Sequence, residues 1–183
     1  MKTATKNLVI LFPGTGYTTD RPLLYYADFV YRAKGYECMP IGYGDCVRKD
    51  LTLDEVIENI KTFILPQVES IDFAEYDDIV FVSKSIGTII VGWLADRLGA
   101  RNIRHIYLTP TSQTLQYITH DKNISMVVSG TKDKFIDADV LKNHCIQEKI
   151  KLELIEGACH SLEIPDDINA SINILKRIVD LYT

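Results

Sequence analysis

The chain has 183 residues, of which 46% are apolar and 25% charged, and a net charge of −5. That is an ordinary composition for a soluble globular protein, with enough length to bury a sizeable core as one domain over 1–183. The acidic balance and the lack of a basic run argue against nucleic acid or an anionic membrane as a partner.

The apolar run Leu8–Phe12 is too short for a signal peptide. No stretch approaches the roughly 20 apolar residues that span a bilayer, so a cytoplasmic protein is expected. Cys38, Cys46, Cys145 and Cys159 form no C-x-x-C pair. Neither a zinc site nor a disulfide framework is indicated, and reduced thiols in or near the core are expected.

Leu8 to Phe12 reads as a buried strand, followed directly by the tight loop Pro13-Gly14-Thr15-Gly16-Tyr17. Pro22 suits the first turn of a helix whose apolar stripe is Leu23, Ala27, Val30 and Tyr31, ended by Gly35. Tyr36 to Ile41 is a second strand. A polar loop leads to Thr52 and Glu55, a capping-box pair. Leu53, Val56, Ile57, Ile60 and Ile64 mark the helix behind it, and Pro66 is expected to kink or end that helix.

Ile79 to Val82 is an apolar, mostly β-branched run of the kind buried on both sheet faces. A small-residue corner, Ser83-Lys84-Ser85-Ile86-Gly87, turns it into an apolar helix from about Thr88 to Leu98, stopped by Gly99. Ile103 to Thr109 is the next strand, and 110–121 a loop rich in Thr, Ser and Gln. Ile124 to Ser129 is a strand that runs into Gly130-Thr-Lys-Asp133, with a short helix over Ala138 to His144. Lys151 to Ile155 is the last strand, followed by Glu156-Gly-Ala-Cys-His160. Ile168, Ile172, Leu175, Val179 and Tyr182 mark a closing amphipathic helix. Regular alternation of strand and helix predicts a parallel sheet with helices on both faces, joined by right-handed crossovers.

A serine at a sharp strand-to-helix corner has the geometry of a nucleophile elbow. The corner holds the hydroxyl above the carboxyl edge of the sheet and points the first amides of the helix at the same place, where the helix dipole favours negative charge. Ser83 and Gly87 satisfy the need for small residues where strand and helix almost touch. A serine hydroxyl needs a base, and a histidine base needs an acid to fix its tautomer. Asp133 and His160 each sit just past a strand end, on the edge that carries Ser85.

The elbow S-K-S-I-G resembles the G-x-S-x-G of the α/β-hydrolase superfamily, with Ser83 in place of the first glycine. G-T-K-D and G-A-C-H-S look like the acid and histidine loops of small members, and the order Ser85, Asp133, His160 is the superfamily's order. The resemblance extends from Leu8 to the last helix. It implies a three-layer αβα fold with a mostly parallel six-stranded sheet in the order 2-1-3-4-5-6. Two N-terminal strands of fuller members are missing, and no cap domain is inserted, since the loop at 110–122 is too short to form one. By the same resemblance the oxyanion donors are the amides of Ile86 and Thr15, with Gly16 as the neighbouring alternative because Pro13 replaces the usual histidine.

Several residues have competing readings. His105 and His144 read as structural, and His120 as a possible liner of the pocket. Asp137 and Asp139 rival Asp133, although Asp137 suits a helix cap; Asp45 is more remote. Lys84 could attract a substrate carboxylate or phosphate, but a solvated or ion-paired lysine is the plainer expectation. Cys159 reads as a small buried residue. Tyr17 and Tyr43 could line the pocket or anchor loops.

The resemblance implies a serine hydrolase that cleaves a small carboxylic ester or thioester through an acyl-enzyme, with Ser85, His160 and Asp133 as the triad. Gly14, Gly16, Tyr17 and Lys84 would contact the small-molecule substrate. No cofactor and no metal is required. The alternative is a catalytically inactive binding or scaffold protein on the same fold. A third reading, Gly14-Thr15-Gly16 as a phosphate loop, fails because Thr19 stands where the third glycine belongs and no acidic residue ends the second strand.

Overall fold

Residues 5–99 and 103–182 are described by the computed structural model. The strands are β1 (Asn7–Phe12), β2 (Tyr36–Pro40), β3 (Asp78–Lys84), β4 (Ile103–Leu108), β5 (Ile124–Gly130) and β6 (Leu152–Ile155). They pair in parallel, in the order β2-β1-β3-β4-β5-β6. The helices are α1 (Pro22–Ala33), α2 (Leu53–Glu69), α3 (Ile86–Leu98), α4 (Ala138–Gln147) and α5 (Ile168–Asp180).

Alternation along each strand sorts the side chains into two cores. Leu8, Ile10 and Phe12 of β1 and Ile79 and Phe81 of β3 face the layer built from α2, α3 and α4. Val9, Leu11, Val80 and Val82 face α1 and α5. Both faces are dry, which is why these strands read as continuous apolar runs rather than alternating ones.

The register aligns the strand ends. Phe12 pairs with Ser83, Lys84 with Leu108, and Gly130 with Ile155. The loops after β1, β3, β4, β5 and β6 therefore open on one edge. The order reverses at β1 and β3, where such sheets part into a crevice.

Two details differ from expectation. Helix α2 runs through Pro66 to Glu69. Ile64 and Val68, fully buried on either side of the proline, hold the last turn onto the sheet despite the missing amide. The connection at 110–121 is not an open loop, because Ser112–Tyr117 forms a 3-10 turn lying on α3. The Tyr117 ring sits where a Cβ on Gly92 would fall, 2.3 Å away, so α3 needs glycine there to receive it. The Thr52/Glu55 capping box forms as expected. No helix among the described residues is long and apolar enough to cross a membrane.

Candidate active site

Strand β3 turns into α3 at Ser85, whose φ of 56° and ψ of −123° lie in a region that side chains other than glycine rarely adopt. Strain of this kind persists only where the surroundings impose it. Here the Ser85 amide donates to the Leu108 carbonyl at 3.0 Å, fixing the corner to β4. On the other side, a Cβ on Gly87 would stand 2.5 Å from the Phe12 carbonyl oxygen and 2.7 Å from that of Pro13, so only glycine lets the helix start so close to β1. Ser83 is fully buried and donates to the Ile106 carbonyl at 3.3 Å.

The loop after β5 carries Asp133, whose carboxylate is fully shielded from solvent. One carboxylate oxygen accepts from the Phe135 amide at 2.9 Å. The other lies 2.7 Å from Nδ1 of His160. Nε2 of His160 lies 2.8 Å from Ser85 Oγ. With the carboxylate as acceptor, Nδ1 donates to it and Nε2 is left to accept the serine proton. The acid and histidine loops are bound to each other by Lys132 N–H to Ala158 O at 3.0 Å and Gly157 N–H to Thr131 Oγ1 at 2.8 Å. Gly130 is what permits this approach, since a Cβ there would fall 2.0 Å from the Ala158 carbonyl oxygen.

A cavity of about 310 Å³ opens over Ser85 and His160. Its wall includes Gly14, Thr15, Gly16, Tyr17, Lys84 and Ile86, the residues that the resemblance suggested for oxyanion or substrate contact. Ile86 is the first residue of α3, where amides have no partner within the helix. Gly14 backs onto the serine, with its missing Cβ only 3.2 Å from that of Ser85. The rest of the wall is largely apolar, from Leu53, Ile89 and Phe135, with Thr111 and Ser161. None of these five was read from the sequence as a residue of the site. The Phe135 ring centroid lies 4.4 Å from that of His160. Its place two residues after Asp133, closing an Asx turn, was a usable signal.

The rival residues fall elsewhere. Asp137 caps α4 by accepting from the amides of Asp139 and Val140 at 3.0 Å each. Asp45 is exposed on a 3-10 turn over Gly44–Cys46. His120 does not line the cavity: its ring pairs with Glu148 at 3.1 Å on the surface. His144 bonds to the Ile118 carbonyl at 2.7 Å. Tyr43 anchors a loop, donating to the Pro13 carbonyl at 3.0 Å. Cys159 is half-buried rather than buried.

Lys84 corrects the expectation of a solvated or ion-paired side chain. It is 1% exposed and donates to Thr109 Oγ1 and, at 2.8 Å, to the carbonyl of His160. The physical reason is parity: Lys84 shares the sheet face of Val80 and Val82, the face under α1 and α5. Burial pulls its pKa down to about 8 against the pull of Asp133, Cys159 and Glu163 in the other direction. Its ammonium also sits 5.1 Å above the Tyr17 ring.

A doubly wound parallel sheet whose third strand ends in a strained serine defines a narrow class of three-layer proteins. Similarity to solved structures names it: the chain has the α/β-hydrolase fold. It is similar to an α/β-hydrolase-like protein of unknown function from Agrobacterium tumefaciens, with 15% identity, 98% of this chain and 85% of that one covered, and a TM-score of 0.70. It is similar to Est1E from Butyrivibrio proteoclasticus, with 14% identity over 98% and 88% of the two chains and a TM-score of 0.67. It is also similar to an α/β serine hydrolase homologue from Coxiella burnetii, with 15% identity over 100% and 88% and a TM-score of 0.62. No protein-family model and no curated protein matches the chain.

Proposed function

We propose that this chain is a cytoplasmic serine hydrolase that cleaves a small carboxylic ester or thioester through an acyl-enzyme. The observation that carries the reading is the hydrogen-bonded line from Ser85 Oγ through His160 to Asp133, at 2.8 and 2.7 Å, beginning at a strained serine. Similarity to a structure described as an α/β serine hydrolase homologue supports the reaction class.

In this reading Ser85 Oγ attacks the substrate carbonyl as His160 Nε2 takes the hydroxyl proton. Asp133 holds the imidazole in the Nδ1–H tautomer and stabilises the imidazolium that forms. The amides of Thr15 and Ile86 receive the oxyanion, aided by the positive end of α3. His160 then returns the proton to the leaving alcohol or thiol, and water repeats the sequence to release the acid. The apolar wall of Leu53, Ile89 and Phe135 favours an uncharged acyl or alcohol group.

Covalent labelling by a fluorophosphonate probe tests the reading, run beside p-nitrophenyl and coenzyme A thioesters of graded chain length. Labelling and turnover that both vanish in Ser85→Ala are the expected result. Folded wild-type protein that takes up no probe would instead favour a non-catalytic binding protein on the same fold.

A further inference from the structure

Lys84 stands next to the serine yet has no part in the chemistry described above. Its ammonium is buried, which is costly for a charge without a carboxylate partner, and such groups are retained where their hydrogen bonds do something specific. Its partners are two neutral oxygens on two different chain segments: Thr109 Oγ1, just past β4, and the backbone carbonyl of His160. Thr109 is itself fully buried and held at a positive φ of 44°, a second strained residue beside Ser85.

Among the described residues, the other backbone hydrogen bonds of the histidine loop run to the acid loop and to its own turn, and the imidazole alone reaches the elbow, through Nε2 to Ser85. Cys159 N–H bonds to Glu163 O, and Leu162 N–H to Cys159 O, both at 2.9 Å. Those bonds shape the turn, and the bonds with Lys132, Thr131 and Asp133 fix it and its imidazole relative to the acid loop. None of them fixes it relative to the elbow. The bond from Lys84 Nζ to the His160 carbonyl spans that gap, from the residue that precedes the serine to the residue that carries the base.

We infer that Lys84 is a positioning residue for His160, a clamp that uses Thr109 as its second grip and holds the histidine loop at the distance where Nε2 meets Ser85 Oγ. It is distinct from a substrate anchor: with 1% exposure and Tyr17 lying over it, the ammonium is turned to the protein rather than to a ligand. Its depressed pKa, about 8, fits a charge held in a dry site for its hydrogen bonds. This inference rests on the hydrolase reading for its effect on rate, but the clamp itself is a property of the loop.

Lys84→Met keeps the length and removes both bonds. Thr109→Val removes one grip and keeps Lys84. Each is compared with wild type by amide hydrogen exchange over residues 156–162, by thermal midpoint, by fluorophosphonate titration of active serine, and by kcat and KM on p-nitrophenyl butyrate. Lys84→Met should exchange at least tenfold faster in 156–162, and its kcat per titrated serine should fall about ten- to a hundredfold with KM within about twofold. Thr109→Val should shift both readouts the same way and less. Unchanged exchange in 156–162 overturns the clamp. So does a loss of activity that only tracks the titrated fraction, because a merely structural lysine lowers the number of working sites and not the turnover of each. A wild type that resists the probe while Lys84→Met still loosens the loop would refute the ester reading alone.

Discussion

Replacing Ser85 by glycine should make the protein more stable than replacing it by alanine, although both remove the hydroxyl. The reason is the backbone. At φ 56° and ψ −123°, any residue with a Cβ is strained, and glycine is not. Such strain is worth about 1–3 kcal/mol. Glycine gives back about 0.5–1 kcal/mol through the extra freedom of its unfolded chain. The hydrogen bond to His160 is lost in both variants and cancels in the comparison. The net advantage of Ser85→Gly over Ser85→Ala therefore spans about 0–2.5 kcal/mol, with a central value of about 1.2 kcal/mol. For a chain of this length the central value corresponds to a rise of roughly 2–5 °C in thermal midpoint. Differential scanning calorimetry of the two variants measures it directly. A glycine variant no more stable than the alanine variant would show that the corner stores less than about 1 kcal/mol of strain, and that the conformation of Ser85 is not evidence of a site built at a cost in stability.

Asp133→Asn should lower kcat by about 10³–10⁴-fold with little change in KM, because the amide no longer holds the Nδ1–H tautomer; stopped-flow turnover of p-nitrophenyl butyrate reads this. Gly87→Ala drives a methyl into the Phe12 and Pro13 carbonyls and should cost about 3 kcal/mol, seen as a lower urea midpoint with an unchanged slope. His105, wedged between the Phe81 and Tyr107 rings with Nδ1 unpartnered, has its pKa pulled by burial from 6.5 to about 4. Between those values the unfolded chain binds a proton that the folded chain does not. Stability from the neutral ring is complete above pH 6.5 and falls as the pH drops, by about 2 kcal/mol at pH 5. Urea unfolding at pH 8 and pH 5 should show that loss in wild type and lack it in His105→Phe.

Much of the site was legible in the sequence for a reason that can be stated. Strands β1 and β3 announce themselves because both faces are dry, so every position is apolar. The corner at Ser83–Gly87 is legible because close approach permits only small residues there, and because two further loops with an acid and a histidine follow at matching places. Three loops at equivalent places after three parallel strands must share one edge, so the sequence alone sets Ser85, Asp133 and His160 on the same rim. What local pattern could not reveal was how the loops fold among themselves. Pro66 ends many helices, but here the packing of Ile64 and Val68 outweighs one missing amide. His120 looked poised at the rim, and a bend of the chain after the Ser112–Tyr117 turn carries it to Glu148 instead.

Lys84 marks the boundary most clearly. Its identity and its parity with Val80 and Val82 are in the sequence, and parity alone puts it on a buried face. Whether a buried lysine points at a carboxylate, a ligand or a backbone carbonyl depends on what arrives from elsewhere in the chain. Here that is the carbonyl of His160, 76 residues away. The alternation of strand and helix, the shared edge and the small-residue corner follow from local periodicity and steric size, which a sequence carries within a few residues; the strand order came only through the resemblance to the α/β-hydrolase superfamily. The grip on His160, the apolar wall of the cavity and the distances between three side chains arise only when remote segments pack, because they depend on separations set by the whole sheet.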